Sequence, residues 1–116
     1  MDYYIKTTKP NHYIKIYMRY NIGGWNWGTG EQMKRAMDLN ISPVEKGDVF
    51  ESYMAFSGYR LQAEEIKRYS SGKKTQAIEY FIKNIELVKR ALDVVLQEQN
   101  LEIAEDYNLE EIIRGF

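Results

Sequence analysis

His12 is the only histidine of the chain and cysteine is absent, which removes multi-histidine and thiolate metal sites together and leaves carboxylates as the remaining ligands. The adjacent acids Glu64-Glu65, Glu105-Asp106 and Glu110-Glu111 do not make such a set, because neighbouring positions on a helix point in different directions. They read as solvated charges. A serine–histidine pair would have to use His12, and no G-x-S-x-G elbow is present to hold a serine nucleophile. With no nucleophile, base and oxyanion site to combine, the chain is expected not to be an enzyme and to need neither metal nor cofactor.

Two other constellations suit binding rather than reaction. Both tryptophans, Trp25 and Trp27, flank Asn26 in a stretch that also holds Gly23, Gly24, Gly28 and Gly30, so a permissive backbone frames two large rigid rings. Phosphate cradles are excluded by particular residues. Gly23-x4-Gly28 is followed by Thr29-Gly30 rather than by the lysine of a Walker loop, and Gly28-Thr29-Gly30 runs on to Met33 instead of completing G-x-G-x-x-G. Trp25, Asn26 and Trp27 then remain as an aromatic anchor for a protein partner, a nucleobase or a sugar, or as a lid on the protein's own core. The second constellation is Tyr13, Lys15, Tyr17 and Arg19, which alternate with Ile14, Ile16 and Met18. Aromatic and basic groups interleaved on one strand face are the chemistry of a single-stranded nucleic-acid platform, with Lys34 and Arg35 nearby. The ribonucleoprotein motifs are missing, and Tyr and Lys are ordinary on a solvated outer face, which is the simpler expectation for these residues.

The elements that must position these groups follow from periodicity. At 116 residues, 44% hydrophobic and 28% charged, the chain fits a single globular domain over 1–116 that can bury a core without staples. An edge strand over 2–8 ends at Lys9-Pro10-Asn11, and His12–Tyr20 alternates as a half-buried strand. Met37, Leu39 and Ile41 predict a second such strand that Pro43 helps to end, and Val49–Phe56 a third, so that 1–57 form an antiparallel meander. Ser57 caps a helix carrying Tyr59, Ala63, Ile66 and Tyr69 at helical spacing. Ile78, Phe81, Ile85, Val88, Leu92 and Val95 then mark one long amphipathic helix from Thr75 to Gln99, too wide-striped and too short for a dimeric coiled coil. Asn108-x-x-Glu111 opens a short terminal helix with a capping box. The predicted fold is therefore α+β: an antiparallel meander of three to four strands, packed on one face by a long C-terminal helix plus shorter helices over 58–116.

Charge is balanced overall at −1, which argues against sequence-blind coating of DNA. Its distribution is uneven: residues 93–116 hold seven acidic groups against Arg114, whereas Lys6, Lys9, Lys15 and Arg19 face only Asp2 in residues 1–20. Met1–Lys6 lacks the basic head and apolar run of a secretory signal, and no window is apolar enough to span a membrane, so a cytoplasmic protein is expected.

Gly23-Gly24-Trp25-Asn26-Trp27-Gly28-Thr29-Gly30-Glu31, then Asn40-Ile41-Ser42-Pro43-Val44-Glu45, then Glu51-Ser52-Tyr53-Met54-Ala55-Phe56-Ser57-Gly58 resemble a family of small uncharacterised proteins carried by bacterial plasmids, phages and other mobile elements. The resemblance covers residues 12–70 and implies no activity, ligand or catalytic residue. It implies a setting of accessory or host-interaction proteins. The expectation is thus a non-enzymatic protein that binds a protein partner, or a second copy of itself, through the Gly/Trp stretch or an exposed sheet face, with single-stranded nucleic-acid binding as the alternative.

Overall fold

In the computed structural model, which describes residues 2–22, 25–26, 31–32, 35–47, 50–53, 58–63 and 73–116, the chain opens with strand β1 (Asp2–Lys6) and returns antiparallel as β2 (His12–Ile22). The turn between them is made by Pro10, whose φ is fixed, followed by Asn11 at φ 63°. His12 N–H donates to Lys9 O at 3.2 Å, which gives the signature of a type II turn, where Asn tolerates the left-handed position. β2 then pairs with β5 (Arg35–Lys46) from His12↔Glu45 to Ile22↔Arg35. Between them the short strands β3 (Trp25–Asn26) and β4 (Glu31–Gln32) pair with each other.

β5 runs through Pro43 instead of ending there. Lys46 N–H donates to Asn11 O at 2.9 Å and Gly47 N–H donates to Phe50 O at 2.8 Å, so along β5 the even positions bond towards β2 and the odd positions towards the opposite edge. The hydrogen that Pro43 lacks falls on that opposite edge, and the β2–β5 ladder loses nothing. The edge itself registers the gap. Strand β6 (Glu51–Tyr53) pairs with Val44–Lys46 and β7 (Tyr59–Ala63) pairs with Met37–Ile41, both antiparallel. Ser42 and Pro43 thus have no strand partner there among the described residues. Gly58 enters beside them: a Cβ on it would lie 3.1 Å from Ser42 Oγ and 3.3 Å from Ile41 O. Gly58→Ala is expected to cost about 1 kcal/mol or less, because the Ser42 hydroxyl can turn aside and only the Ile41 carbonyl has to give by a few tenths of an ångström, read as a slightly lower urea midpoint at unchanged slope.

The helix expected from Tyr59 is a strand over its first five residues. Tyr59, Leu61 and Ala63 alternate as well as recur at helical spacing, and pairing Leu61 with Leu39 buries an apolar residue that the helical pattern leaves out. Residues 64–69 of that expectation, and residues 49 and 54–56 of the third predicted strand, lie outside the described residues.

The predicted long helix is two: α1 (Lys73–Lys83) and α2 (Ile85–Gln99). Asn84 breaks it. Its side-chain Nδ2 donates to Tyr80 O at 2.8 Å beside its own N–H at 3.0 Å, and its backbone sits at φ −107°, ψ 35°, the local competition with helix that Asn is prone to. The apolar stripe survives the break, with Ala77 and Phe81 buried from α1 and Val88, Ala91, Leu92 and Val95 from α2. They pack on Ile14, Ile16, Leu39, Ile41 and Leu61 from one sheet face. α3 (Leu109–Arg114) starts as predicted, Asn108 Oδ1 accepting from Glu111 N–H at 3.1 Å, and buries Leu109, Ile112 and Ile113. Before it, the segment 101–105 lies along the outer edge of β1. Thr8 N–H donates to Glu102 O at 2.8 Å and Ala104 N–H to Lys6 O at 2.9 Å, and Lys6 N–H donates to Glu105 Oε1 at 2.8 Å. The Lys6 end of an otherwise open strand edge, with Thr7 and Thr8 beyond it, is covered. The result is an α+β fold with a five-stranded antiparallel sheet, β1-β2-β5 followed by β6 and β7.

Candidate functional site

The strand face carrying Tyr13, Lys15, Tyr17 and Arg19 turns away from the helices, yet it is not a solvated outer face. β1 and β6 are separated by β2 and β5, three strand spacings or about 14 Å in a flat sheet. Even so, the Tyr4 hydroxyl donates to Glu51 Oε2 and the Lys15 ammonium to Glu51 Oε1. Only a sheet curled into a half-barrel brings these groups together, and the face they share is its hollow. Lys15, with a side chain only 8% exposed, also lies 3.4 Å from Asp2 Oδ2. Its Nζ sits 5.7 Å from the centre of the Tyr4 ring and 5.1 Å from that of Tyr17. Lys46 Nζ is 3.5 Å over the Tyr4 ring and 5.0 Å from Tyr13, and the Arg19 guanidinium is 5.0 Å from Tyr17. Tyr4 and Tyr13 meet edge to face at 6.3 Å, and Arg60 reaches Asp38 at 3.5 Å. Cations over ring faces and carboxylates at their ends make one connected polar lining.

The electrostatics of this lining follow from those bonds. The hydrogen bond from Lys15, and after it the one from Tyr4, hold the Glu51 carboxyl below the ordinary value, against the opposing effect of burial. Burial first, and the bond it donates to Glu51 second, push the Tyr4 hydroxyl up. A carboxyl depressed in the folded state adds stability that is present above its unfolded pKa and lost as pH falls through the folded one. Unfolding by urea at a series of pH values is therefore expected to show Glu51→Gln less stable than the unchanged protein at neutral pH. The difference should shrink as pH drops below the ordinary carboxyl value of 4.5.

Of the four residues predicted on this face, Lys15 and Tyr17 are buried, Tyr13 is half-buried and Arg19 is exposed. The correction has a simple origin: Asp2 and Glu51, which draw Lys15 inward, stand 13 and 36 positions away in sequence, and only strand pairing brings them near. His12 is buried at the turn, its Nδ1 2.8 Å from Pro10 O, a structural placement.

Trp25 and Asn26 lie in β3; Trp27 lies outside the described residues. Asn21↔Ala36, Ile22↔Arg35, Trp25↔Gln32 and Asn26↔Glu31 share one register, so within the stretch expected to be a long loop Trp25 and Asn26 are paired backbone; residues 23–24 and 33–34 lie outside the described residues. β2 and β5 run for about 35 Å, and the molecule measures 50 × 28 × 25 Å along its principal axes.

A cleft of about 510 Å³ that sequence reasoning did not find opens between the start of β1 and α3. It is lined by Asp2, Tyr3, Asp106, Tyr107, Asn108, Glu111, Ile112, Gly115 and Phe116. The acidic bias of residues 93–116 was visible in the sequence, but nothing local places that segment beside β1. Among the described residues no group of three or more His, Asp or Glu side chains is disposed to hold a metal ion, and no helix is long and apolar enough to cross a membrane. Compared with known proteins, the chain matches no family model, no curated protein and no solved structure.

Proposed function

We propose that the protein is a non-enzymatic interaction protein of the cytoplasm that engages a protein partner through the far end of the β2–β5 hairpin, around Trp25, Asn26 and Trp27. The observation that carries this proposal is that the β3–β4 pairing, Trp25↔Gln32 and Asn26↔Glu31, keeps the register of the β2–β5 ladder, which places Trp25 and Asn26 in paired backbone. A ribbon stiffened by cross-strand pairing presents aromatic anchors at a lower entropic cost than a free loop, and buried Trp side chains carry a large share of binding energy at interfaces. The resemblance of residues 12–70 to small proteins of mobile elements points to the same kind of role. The hollow of the half-barrel supports it from the other side, because Lys15, Glu51, Asp2 and Tyr4 are engaged with one another and serve the scaffold. The alternative, a single-stranded nucleic-acid module using Tyr13, Lys15, Tyr17 and Arg19, would have to draw Lys15 out of that cluster.

Trp25→Ala/Trp27→Ala tests the proposal by capture of partners from the native host and mass spectrometry, with thermal unfolding as the control. The expected result is an unchanged unfolding temperature and loss of the captured partner, at about 2 kcal/mol or more per anchor. An unchanged partner set, or salt-sensitive binding of labelled single-stranded DNA or RNA by both proteins, would overturn it.

A further inference from the structure

The cleft between β1 and α3 shares no residue with β3 or β4, and its walls combine two chemistries that attract the same kind of group. Tyr3 and Tyr107 are each 41% exposed, high for large rings in a small domain, and the half-buried Phe116 lines the cleft with them. Asp106 and Glu111 line the same cleft. Asp2 is already paired with Lys15 at 3.4 Å, but the carboxylates of Asp106 and Glu111 make no hydrogen bond or ion pair among the described residues. Arg114, the one cation of residues 93–116, is held by Glu110 at 3.0 Å and does not neutralise them.

We propose that this cleft binds a basic peptide segment of a protein partner, one Arg or Lys side chain lying against Tyr3 and Tyr107 with its charged end at Asp106 and Glu111. A cation is attracted to the face of an aromatic ring, and the two carboxylates supply charge complementarity and steer the encounter. Arginine is the better fit of the two, being planar, weakly hydrated and able to meet a carboxylate with two bonds. The protein uses the same chemistry within itself, where Lys46 lies 3.5 Å over the Tyr4 ring and Lys15 pairs with Glu51 beside Tyr17. A volume of about 510 Å³ is that of a site for a ligand of several groups, within the usual range of roughly 300–1,000 Å³.

The test uses the whole protein and fluorescence anisotropy of labelled hexa-arginine and hexa-glutamate peptides at low and physiological salt. Three variants are compared: Asp106→Asn/Glu111→Gln in the cleft, Glu86→Gln/Glu98→Gln with the same charge change on α2, and Tyr107→Leu with no charge change. The arginine peptide is expected to bind and the glutamate peptide not to. The cleft acids should weaken binding about tenfold or more, the α2 pair less than about twofold, and Tyr107→Leu about two- to fivefold, the size of an exposed cation–π contact. Amide shifts in the unchanged protein should centre on residues 106–115, which keeps the test decisive if a variant fails to fold. No binding, equal losses in the two charge variants, no loss in Tyr107→Leu, or shifts centred elsewhere would each overturn the proposal.

Discussion

Lys15→Met is expected to destabilise the protein by about 3 kcal/mol, the lower end of the roughly 3–5 kcal/mol lost when one partner of a buried ion pair is removed. The lower end applies because the side chains of Glu51 and Asp2 are 24% and 46% exposed, so solvent screens part of what Lys15 neutralises. Methionine keeps the length and bulk of the lysine stem, so the loss reports the ammonium and not a cavity. Its source is the Glu51 carboxylate left in the hollow of the half-barrel with only Tyr4 as a described donor and Lys46 nearby. That identifies a second measurement. Lys15→Met/Glu51→Gln removes both charges and is expected to recover more than half of the loss in urea unfolding at neutral pH. Equal stability of the single and double variants would show that the ion pair does not hold the curl of the sheet.

Phe81→Ala is expected to cost about 3–5 kcal/mol, by lost burial and the cavity left behind. Phe81 is 1% exposed, contacts Tyr80 edge to face at 5.5 Å, and stands where α1 meets the sheet. Its helix is the shorter of the two that replace the predicted single one, so it has fewer other apolar residues to hold it in place. A loss of this size is a large part of the roughly 5–15 kcal/mol that separates folded from unfolded states in such domains. Leu87→Ala, on the exposed side of α2, serves as the comparison and is expected to change the urea midpoint little. Similar losses at the two positions would mean that Phe81 is not packed as described.

Both effects bear on what could be read from residues alone. The alternation of Ile14, Ile16 and Met18 placed β2, and the spacing of Phe81, Val88, Leu92 and Val95 identified the face that covers the sheet, because a strand of period two and a helix of period 3.6 leave local signatures. Asn108-x-x-Glu111 announced α3 for the same reason. Three features had competing or non-local causes. Tyr59-Arg60-Leu61-Gln62-Ala63 fits both periods, and pairing with β5 decided between them. Asn84 interrupts a helix by bonding to Tyr80 O, whereas the apolar stripe on either side of it continues. The inward turn of Lys15 depends on Asp2 and Glu51 arriving from two other strands, and the cleft of Tyr3, Tyr107 and Glu111 on segments about a hundred residues apart. No window of sequence contains those meetings.

The covering of β1 by residues 101–105 has a bearing on how the chain is made. Thr8, Lys6 and their partners Glu102 and Ala104 are joined only after residues 101–105 have left the ribosome. At common synthesis rates of roughly 5–20 residues per second, β1 waits on the order of 5–20 s with that edge uncovered. During that interval β1 is a free template for other chains. Lys6 and Lys9 on and beside it, both exposed, are the kind of charge that keeps nascent strands apart until their own partner is synthesised.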